Sequence, residues 1–127
     1  MFAYAGRRVP AAPPEVFGMN STQRPVSVLV IAMLYIGVGA IGFIAHWHDL
    51  RHPDGIAIEV TELVGLLAGI FMLLGHNWAR WLAVAWMAFH VAISFPEMSK
   101  LAVHSLFLAA IAWLLFRPDA RAWFRRA

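Results

Sequence analysis

Four apolar stretches, separated by short polar connections, make up most of the chain after Pro25. They cover about residues 26–47, 57–75, 77–95 and 98–116. Each is long enough to cross a hydrocarbon core of roughly 30 Å as a helix that rises about 1.5 Å per residue. They lack the alternation of barrel strands, and lipid leaves no partner for an open strand edge. The pattern therefore predicts an all-α membrane protein, a four-transmembrane-helix antiparallel bundle with short hairpin loops.

The connections between these stretches carry turn and capping signals. Residues 52–55, His-Pro-Asp-Gly, are typical of a turn, because proline presets φ and glycine accepts a positive value. Gly75 indicates a helix stop and Asn77 a helix N-cap, which predicts a tight hairpin between the second and third spans. Residues 94–97, Ser-Phe-Pro-Glu, match a capping box at the start of the fourth span.

The composition supports lipid as the solvent of these helices. Of 127 residues, 61% are hydrophobic and 13% are charged, whereas a typical soluble domain has roughly 25% charged residues. A small soluble chain does not bury that much apolar surface. The chain contains no cysteine, which excludes disulfides, thiolate metal sites and cysteine catalysis. Phosphate-binding loops, serine nucleophile elbows, zinc-protease motifs and EF-hands are also absent, so we expect no catalytic residues.

Polar segments flank the apolar part on both sides. Residues 1–24 form a head with three prolines and three arginines, which we expect to be disordered and cytoplasmic. Met19 offers an alternative start of the chain directly before the first span. Residues 25–117 make up the transmembrane domain, and residues 118–127 form a basic tail. We expect this tail to lie in the interface against anionic headgroups.

The basic residues are distributed unevenly between the two sides of the predicted membrane domain. Eight of the ten Lys and Arg residues fall with the termini and the Gly75 turn, whereas Arg51 and Lys100 fall on the opposite side. The positive-inside rule then places both termini in the cytoplasm. The excess of basic residues is thus explained mostly by the orientation of the chain in the membrane, and we expect no nucleic-acid partner.

Ionisable groups near the outer ends of the spans form one layer. Such groups are costly within a membrane and indicate function by default. Each span contributes at least one member of the layer, which comprises His46, Glu59, Glu62, His90 and His104. Glu62 shares a helix face with the small residues Gly65 and Gly69, which let helices approach closely. We therefore expect Glu62 to face protein rather than lipid.

Three interpretations of this layer remain open. First, His90 and His104 are candidate ligands for a haem or a chlorophyll-type pigment, and together with His46 and Glu62 they form a candidate site for a transition metal. Second, Glu62 and His90 form a candidate proton-relay pair. Third, the histidines hold neighbouring helices in register by hydrogen bonds and no cofactor is bound, which is the interpretation that the sequence favours.

A second group of histidines lies at the predicted outer surface. Residues 46–52 contain three histidines and one aspartate. His48 and His52 are candidate metal ligands there, although Pro53 limits the helix that would bring them to one face. Solvated interfacial histidines are the simpler explanation.

Residues 75–83, Gly-His-Asn-Trp-Ala-Arg-Trp-Leu-Ala, are followed by Trp86 and His90. This segment resembles one that is common in small uncharacterised four-helix proteins of the bacterial inner membrane. The resemblance implies that location and the four-span plan, and it carries no activity with it.

From size and pattern, we expect a small accessory or scaffold subunit of a larger inner-membrane assembly. Its predicted partners are the lipid bilayer and another membrane protein or a second copy, which would contact the face of Gly65 and Gly69. One alternative is a haem-, pigment- or metal-binding subunit that uses the outer layer. Another is a proton or metal-ion channel or carrier built on Glu59, Glu62 and His90.

Overall fold

A computed structural model describes residues 23–49 and 51–125 of the chain. The described part is helical, with turns between the helices. The helices are α1 (Val26–His46), α2 (Pro53–Leu73), α3 (Asn77–Ile93), α4 (Met98–Leu115) and α5 (Pro118–Phe124), and a 3-10 turn (Trp47–Asp49) follows α1. Residues 1–22, which include most of the predicted head and the alternative start at Met19, lie outside the described residues.

Three of the helices, α1, α2 and α4, are long and apolar enough to cross a membrane. The all-helical prediction is therefore confirmed for the described residues, and the three long apolar helices support a membrane protein. With 17 residues, α3 is shorter than the 18-residue α4 and the 21-residue α1 and α2. The described residues thus contain three candidate spans by length and composition, and the fourth crossing is taken up under the proposed function.

The second helix begins at Pro53, and residues 52–55 do not form a separate turn as expected. Proline suits the first position of a helix because its φ matches and its missing N–H would have no partner there. Asp54 follows in the first turn, where a negative charge complements the positive end of the helix dipole. As a result, Glu59 and Glu62 lie in the second and third turns of α2, deeper than in a span starting at residue 57.

The turn between α2 and α3 is a Schellman motif centred on Gly75. The N–H of His76 donates to Phe71 O (3.0 Å) and that of Gly75 to Met72 O (3.1 Å), while Gly75 has a φ of 84°. The predicted helix stop is therefore confirmed. The N-cap of α3 is His76 rather than Asn77, which is already helical.

The turn between α3 and α4 does not contain the predicted capping box. Ser94 ends α3 instead of starting α4, and its hydroxyl donates back to His90 O at 2.7 Å. Glu97 occupies the N-cap of α4, and its Oε1 accepts a hydrogen bond from Lys100 Nζ at 2.9 Å. The hydroxyl of Ser94 is thus committed to α3 and not to the first turn of α4.

Glycines allow the backbones of α1 and α2 to approach closely. A Cβ on Gly39 would lie 2.6 Å from Leu66 N, and one on Gly69 would lie 2.7 Å from Ala32 O. Gly65 instead faces the ring of Trp86 in α3, which would lie 3.1 Å from such a Cβ. The small-residue face that we predicted as a surface for a partner is therefore filled by α1 and α3 of the same chain.

The apolar core occupies one end of the packed helices, where α1 begins, α2 ends, α3 begins and α4 ends. We call this the tail end, because α5 lies there, and the opposite end the histidine end. The largest fully buried side chains all belong to the tail end: Val28, Met72, Leu115 and Phe124. Towards the histidine end, none of residues 98–110 of α4 is buried. That end is therefore loosely packed.

The basic tail folds onto the tail end as α5. Its Phe124 is 1% exposed, and the indole Nε1 of Trp123 donates to Met72 O at 3.1 Å. The guanidinium of Arg24, just before α1, lies 5.2 Å from the ring of Trp123. We expected a tail lying in the interface, whereas one face of this helix is packed against protein and leaves Arg121 exposed.

Candidate functional site

The ionisable layer predicted from the sequence lies at the loosely packed histidine end. We call it the His/Glu site and define it by its members, which are His46, Glu59, Glu62, His90, Ser94 and His104. Of these, Glu59 and Ser94 are buried, and the other four are partly exposed. The site therefore holds one carboxyl group inside the protein and leaves its histidines and Glu62 partly uncovered by the described residues.

Glu59 is the most unusual member, because it is a carboxyl group buried without a partner. Only 4% of the residue is exposed, and neither carboxylate oxygen has a hydrogen-bond partner. Buried charges are normally paired, since an unpaired charge in a low-dielectric interior is very unfavourable. This residue was noted in the sequence as part of the layer, but it was not among the predicted ligands.

Glu62 lies one helical turn further along the same face of α2. Its carboxyl group occupies the space that a Cβ of Gly42 would take, so the glycine in α1 makes room for it. The Oε2 atom has no hydrogen-bond partner. The carboxyl group is within electrostatic range of His90, His46 and Glu59. The expectation that Glu62 faces protein therefore agrees with its position against α1.

His46 and His90 are oriented in the same way by their own helices. Nδ1 of His46 lies 3.0 Å from Gly42 O, and Nδ1 of His90 lies 2.9 Å from Trp86 O. A carbonyl oxygen only accepts hydrogen bonds, so Nδ1 is the protonated nitrogen in both rings. In the neutral ring, Nε2 then carries a free lone pair, which is available to a proton or a metal.

Ser94 links the remaining histidine to this arrangement. Its hydroxyl proton is directed to His90 O, so its oxygen accepts from Nδ1 of His104 at 2.6 Å. The rings of His90 and His104 are 5.9 Å apart, centroid to centroid, and nearly perpendicular. Sequence analysis gave Ser94 a capping role only, although its spacing of four from His90 is the signal for a bond to that carbonyl.

Two aromatic side chains separate the site from the core. The hydroxyl of Tyr35 donates to Ala83 O at 2.7 Å, and Trp86 Nε1 donates to Thr61 O at 2.8 Å. Their rings are 5.0 Å apart, and the ring of His90 is 4.0 Å from that of Trp86. These contacts close the site on the side of the tail end.

The structure brings together some of the predicted ligands and not others. Among residues 23–49 and 51–125, no group of three or more His, Asp or Glu side chains is arranged to hold a metal ion. His90 and His104 are neighbours, and Glu62 is near His46 and His90. His48 and His52 are exposed and take part in none of the side-chain hydrogen bonds of the described residues.

Comparison with known proteins adds no relative from which a role for these residues could be taken. No family model, no curated protein and no solved structure matches this chain.

Proposed function

We propose that this protein handles protons at the His/Glu site of a four-span domain in a bacterial inner membrane. The observation that carries the proposal is Glu59, a carboxyl group within an apolar helix that is 4% exposed and has no partner for either oxygen. The cost of such a buried charge is removed by a bound proton or a bound cation. The proton is the better candidate, since the described side chains offer no group of three ligands for a metal.

The neighbours of Glu59 supply a short path to water. Glu62 lies one turn away on the same helix, and its Oε2 lacks a partner. His46 and His90 present Nε2 lone pairs near it, and imidazole both accepts and releases protons close to neutral pH. Residues 98–110 of α4 are not buried, so the described protein does not cover the site on that side, and we propose that water enters there. Protons are thus passed from water through the histidines and Glu62 to Glu59, and transfer to the far side of the membrane requires the rings of Tyr35 and Trp86, which close the site there, to move.

A fourth crossing, by α3, follows from the path of the chain. If α2 and α4 both span the membrane, the chain has to return from the end of α2 at the tail end to the start of α4 at the histidine end. Only α3 lies between them. Its 17 residues measure roughly 25 Å, within the range of short spanning helices. A four-helix antiparallel bundle is the arrangement that satisfies this path.

The orientation is proposed from the basic residues. The described arginines at the tail end are Arg24, Arg80, Arg117, Arg121 and Arg125, whereas Arg51 and Lys100 belong to the histidine end. The positive-inside rule therefore puts the tail end in the cytoplasm.

Because the chain has no cysteine, the variants His76→Cys and Glu97→Cys test this orientation directly. We expect an impermeant maleimide to label the Glu97→Cys variant in intact cells and the His76→Cys variant only after permeabilisation. Labelling of both in intact cells would contradict the four-span arrangement.

Proton transfer is tested with the purified protein in liposomes that contain a pH-sensitive dye, driven by a potassium gradient and valinomycin. We expect flux above that of empty liposomes, and loss of this flux in Glu62→Gln and in Glu59→Gln. Glu97→Gln is the matched control, because that residue is exposed and pairs with Lys100 at the same end. Full flux in Glu62→Gln refutes a role for this carboxyl group in transfer.

Infrared difference spectra between acidic and alkaline buffer test proton binding without requiring transport. We expect a protonated-carboxyl signal in the wild type that is partly lost in each of Glu59→Gln and Glu62→Gln. Retention of the full signal in both variants would show that the proton-binding groups lie elsewhere.

A second candidate function is supported by the geometry of His90 and His104. Their rings are neighbours and each has Nδ1 engaged, by Trp86 O and by Ser94 Oγ, which leaves both Nε2 atoms free for a haem or pigment metal. Hydrogen-bonded Nδ1 is the usual arrangement of a metal-ligating imidazole. An absorption spectrum of protein purified from its native membrane decides this: a Soret or chlorin band that is lost in His90→Ala supports it, and a colourless protein counts against it.

The accessory role expected from the size of the chain is tested in the same preparation. A subunit of a larger assembly is expected to co-purify with a defined partner from native membranes, whereas an isolated monomer contradicts that role.

A further inference from the structure

The tail end contains a cavity of about 320 Å³ between the start of α3, the end of α4 and α5. It is lined by Arg80, Trp81, Phe116, Arg121 and Arg125. Three of these five side chains are guanidinium groups and none is acidic. The volume is about ten times that of a water molecule in the liquid, so a group larger than water fits.

Aromatic rings surround the guanidinium of Arg80 in this cavity, but they do not accept hydrogen bonds from its N–H groups. Its Cζ lies 4.7 Å from the centre of the Phe116 ring, 5.8 Å from that of Trp81 and 5.9 Å from that of Phe124. Such rings attract the cation electrostatically. However, the Nε and Nη1 atoms are shielded from solvent and have no hydrogen-bond partner. An acceptor in the plane of the guanidinium is therefore missing.

No acidic side chain of the described residues supplies this acceptor. Asp119, the acidic residue of α5, has its Oδ1 3.7 Å from Arg117 Nε, an ion pair without a hydrogen bond, and it forms no ion pair with Arg80. Arg121 and Arg125 lie within electrostatic range of Arg80. Three like charges that share a partly dehydrated cavity repel one another unless an anion lies between them. The cavity thus has the size and the positive charge of an anion site.

We propose that this cavity binds a phosphate group, and specifically the phosphodiester of an anionic membrane lipid. Guanidinium groups match phosphate oxygens through paired, charge-assisted hydrogen bonds. The site is at the end of the spanning helices beside exposed Trp81 and Trp113, as expected for the level of the lipid headgroups. Basic pockets between helices at this level suit anionic headgroups.

The bound phosphate would connect α5 to α3, because it is shared by Arg80 of one helix and by two arginines in and directly after the other. The lipid then stabilises the folded-back position of the tail, which Phe124 and Trp123 already hold by packing. This inference is independent of the proposed proton function, since it concerns the opposite end of the molecule.

Native mass spectrometry of the detergent-solubilised full chain tests the proposal with two lipids, phosphatidylglycerol and phosphatidylcholine. We expect one phosphatidylglycerol to be retained in preference to phosphatidylcholine. Arg80→Gln should weaken this binding about tenfold to a hundredfold, as expected for the loss of hydrogen bonds to a charged group. The double variant Arg121→Gln/Arg125→Gln should also weaken it, and its exposed positions leave the fold intact.

Arg117→Gln is the matched control, because Arg117 belongs to the same end but does not line the cavity. Its binding should equal that of the wild type. Two results would overturn the proposal in favour of unspecific attraction of the lipid to the basic end. One is an equal loss of phosphatidylglycerol binding in Arg117→Gln. The other is no loss of binding in Arg80→Gln and in the double variant. Equal retention of both lipids would overturn it too.

Inorganic phosphate distinguishes the two sources of the ligand. If millimolar inorganic phosphate leaves phosphatidylglycerol bound, the lipid is the ligand, as proposed. If it displaces the lipid and protects the wild type but not Arg80→Gln from thermal unfolding, the site binds free phosphate, and the assignment to a lipid is overturned.

Discussion

Two glycines of α1 differ sharply in what a side chain would meet, which makes them a matched pair for testing how α1 packs on α2. A Cβ on Gly37 meets nothing within 4 Å, whereas a Cβ on Gly39 would lie 2.6 Å from Leu66 N and 2.7 Å from Glu62 O. Ordinary van der Waals contact begins at about 3.4 Å. The atoms at Gly39 are backbone atoms, so they yield only if the two helices separate by several tenths of an ångström.

The expected magnitudes follow from this contrast. Gly37→Ala should be neutral or stabilising by up to about 1 kcal/mol, because alanine is the better helix former. Gly39→Ala gains the same propensity but overpacks the interface, for which costs of about 1–3 kcal/mol are typical. Since the gain in propensity is common to both variants, we expect Gly39→Ala to be less stable than Gly37→Ala by about 1–3 kcal/mol, the overpacking cost.

The assay is reversible unfolding in mixed detergent micelles, followed by far-UV circular dichroism and tryptophan fluorescence for both variants and the wild type. Gly69→Ala provides a second test of the same interface, since its Cβ would lie 2.7 Å from Ala32 O. Equal stability of Gly37→Ala and Gly39→Ala would refute the close backbone contact between α1 and α2.

Three further predictions concern single contacts. Tyr35→Phe removes the 2.7 Å hydrogen bond to Ala83 O and should lower the free energy of unfolding by about 1 kcal/mol in the same assay; an unchanged midpoint contradicts the bond. Phe124→Ala removes a side chain that is 1% exposed and should lower the free energy of unfolding by about 3 kcal/mol. It should also release α5, seen as faster amide exchange in residues 118–124, whereas Phe107→Ala, at an exposed position, should change neither quantity. Ser94→Ala removes the acceptor of His104 Nδ1, so ¹⁵N shifts should show His104 changing from one tautomer to a mixture, and an unchanged spectrum counts against the bond.

The sequence predicted helices of membrane-spanning length, their approximate bounds and the Gly75 turn. Apolar runs of spanning length have few alternatives, because lipid requires every backbone group to be bonded within the segment. A glycine just after such a run is a strong local signal for a positive φ. These features are local, so a single chain without relatives suffices to predict them.

Turn and capping patterns that fit more than one local structure were less informative. Residues 52–55 and 94–97 each fit a turn or capping pattern, yet Pro53 starts a helix and Ser94 ends one. In both cases two local patterns are compatible with the same residues. The first position of α2 suits Pro53, and the hydroxyl of Ser94 bonds to His90 O four residues earlier, so a second local interaction won in each case.

For the candidate site, the sequence identified most of the residues, and only the tertiary structure decided which of their side chains contact one another. Equal depth predicted that Glu62, His90 and His104 share a layer, but rotation and helix order decide which side chains meet. Glu59 became the central residue because the fold buries it without a partner. Likewise, Arg80 and the tail arginines share a cavity only because α5 folds back against α3. Contacts between distant segments follow from packing, and packing depends on the complete set of side chains at once.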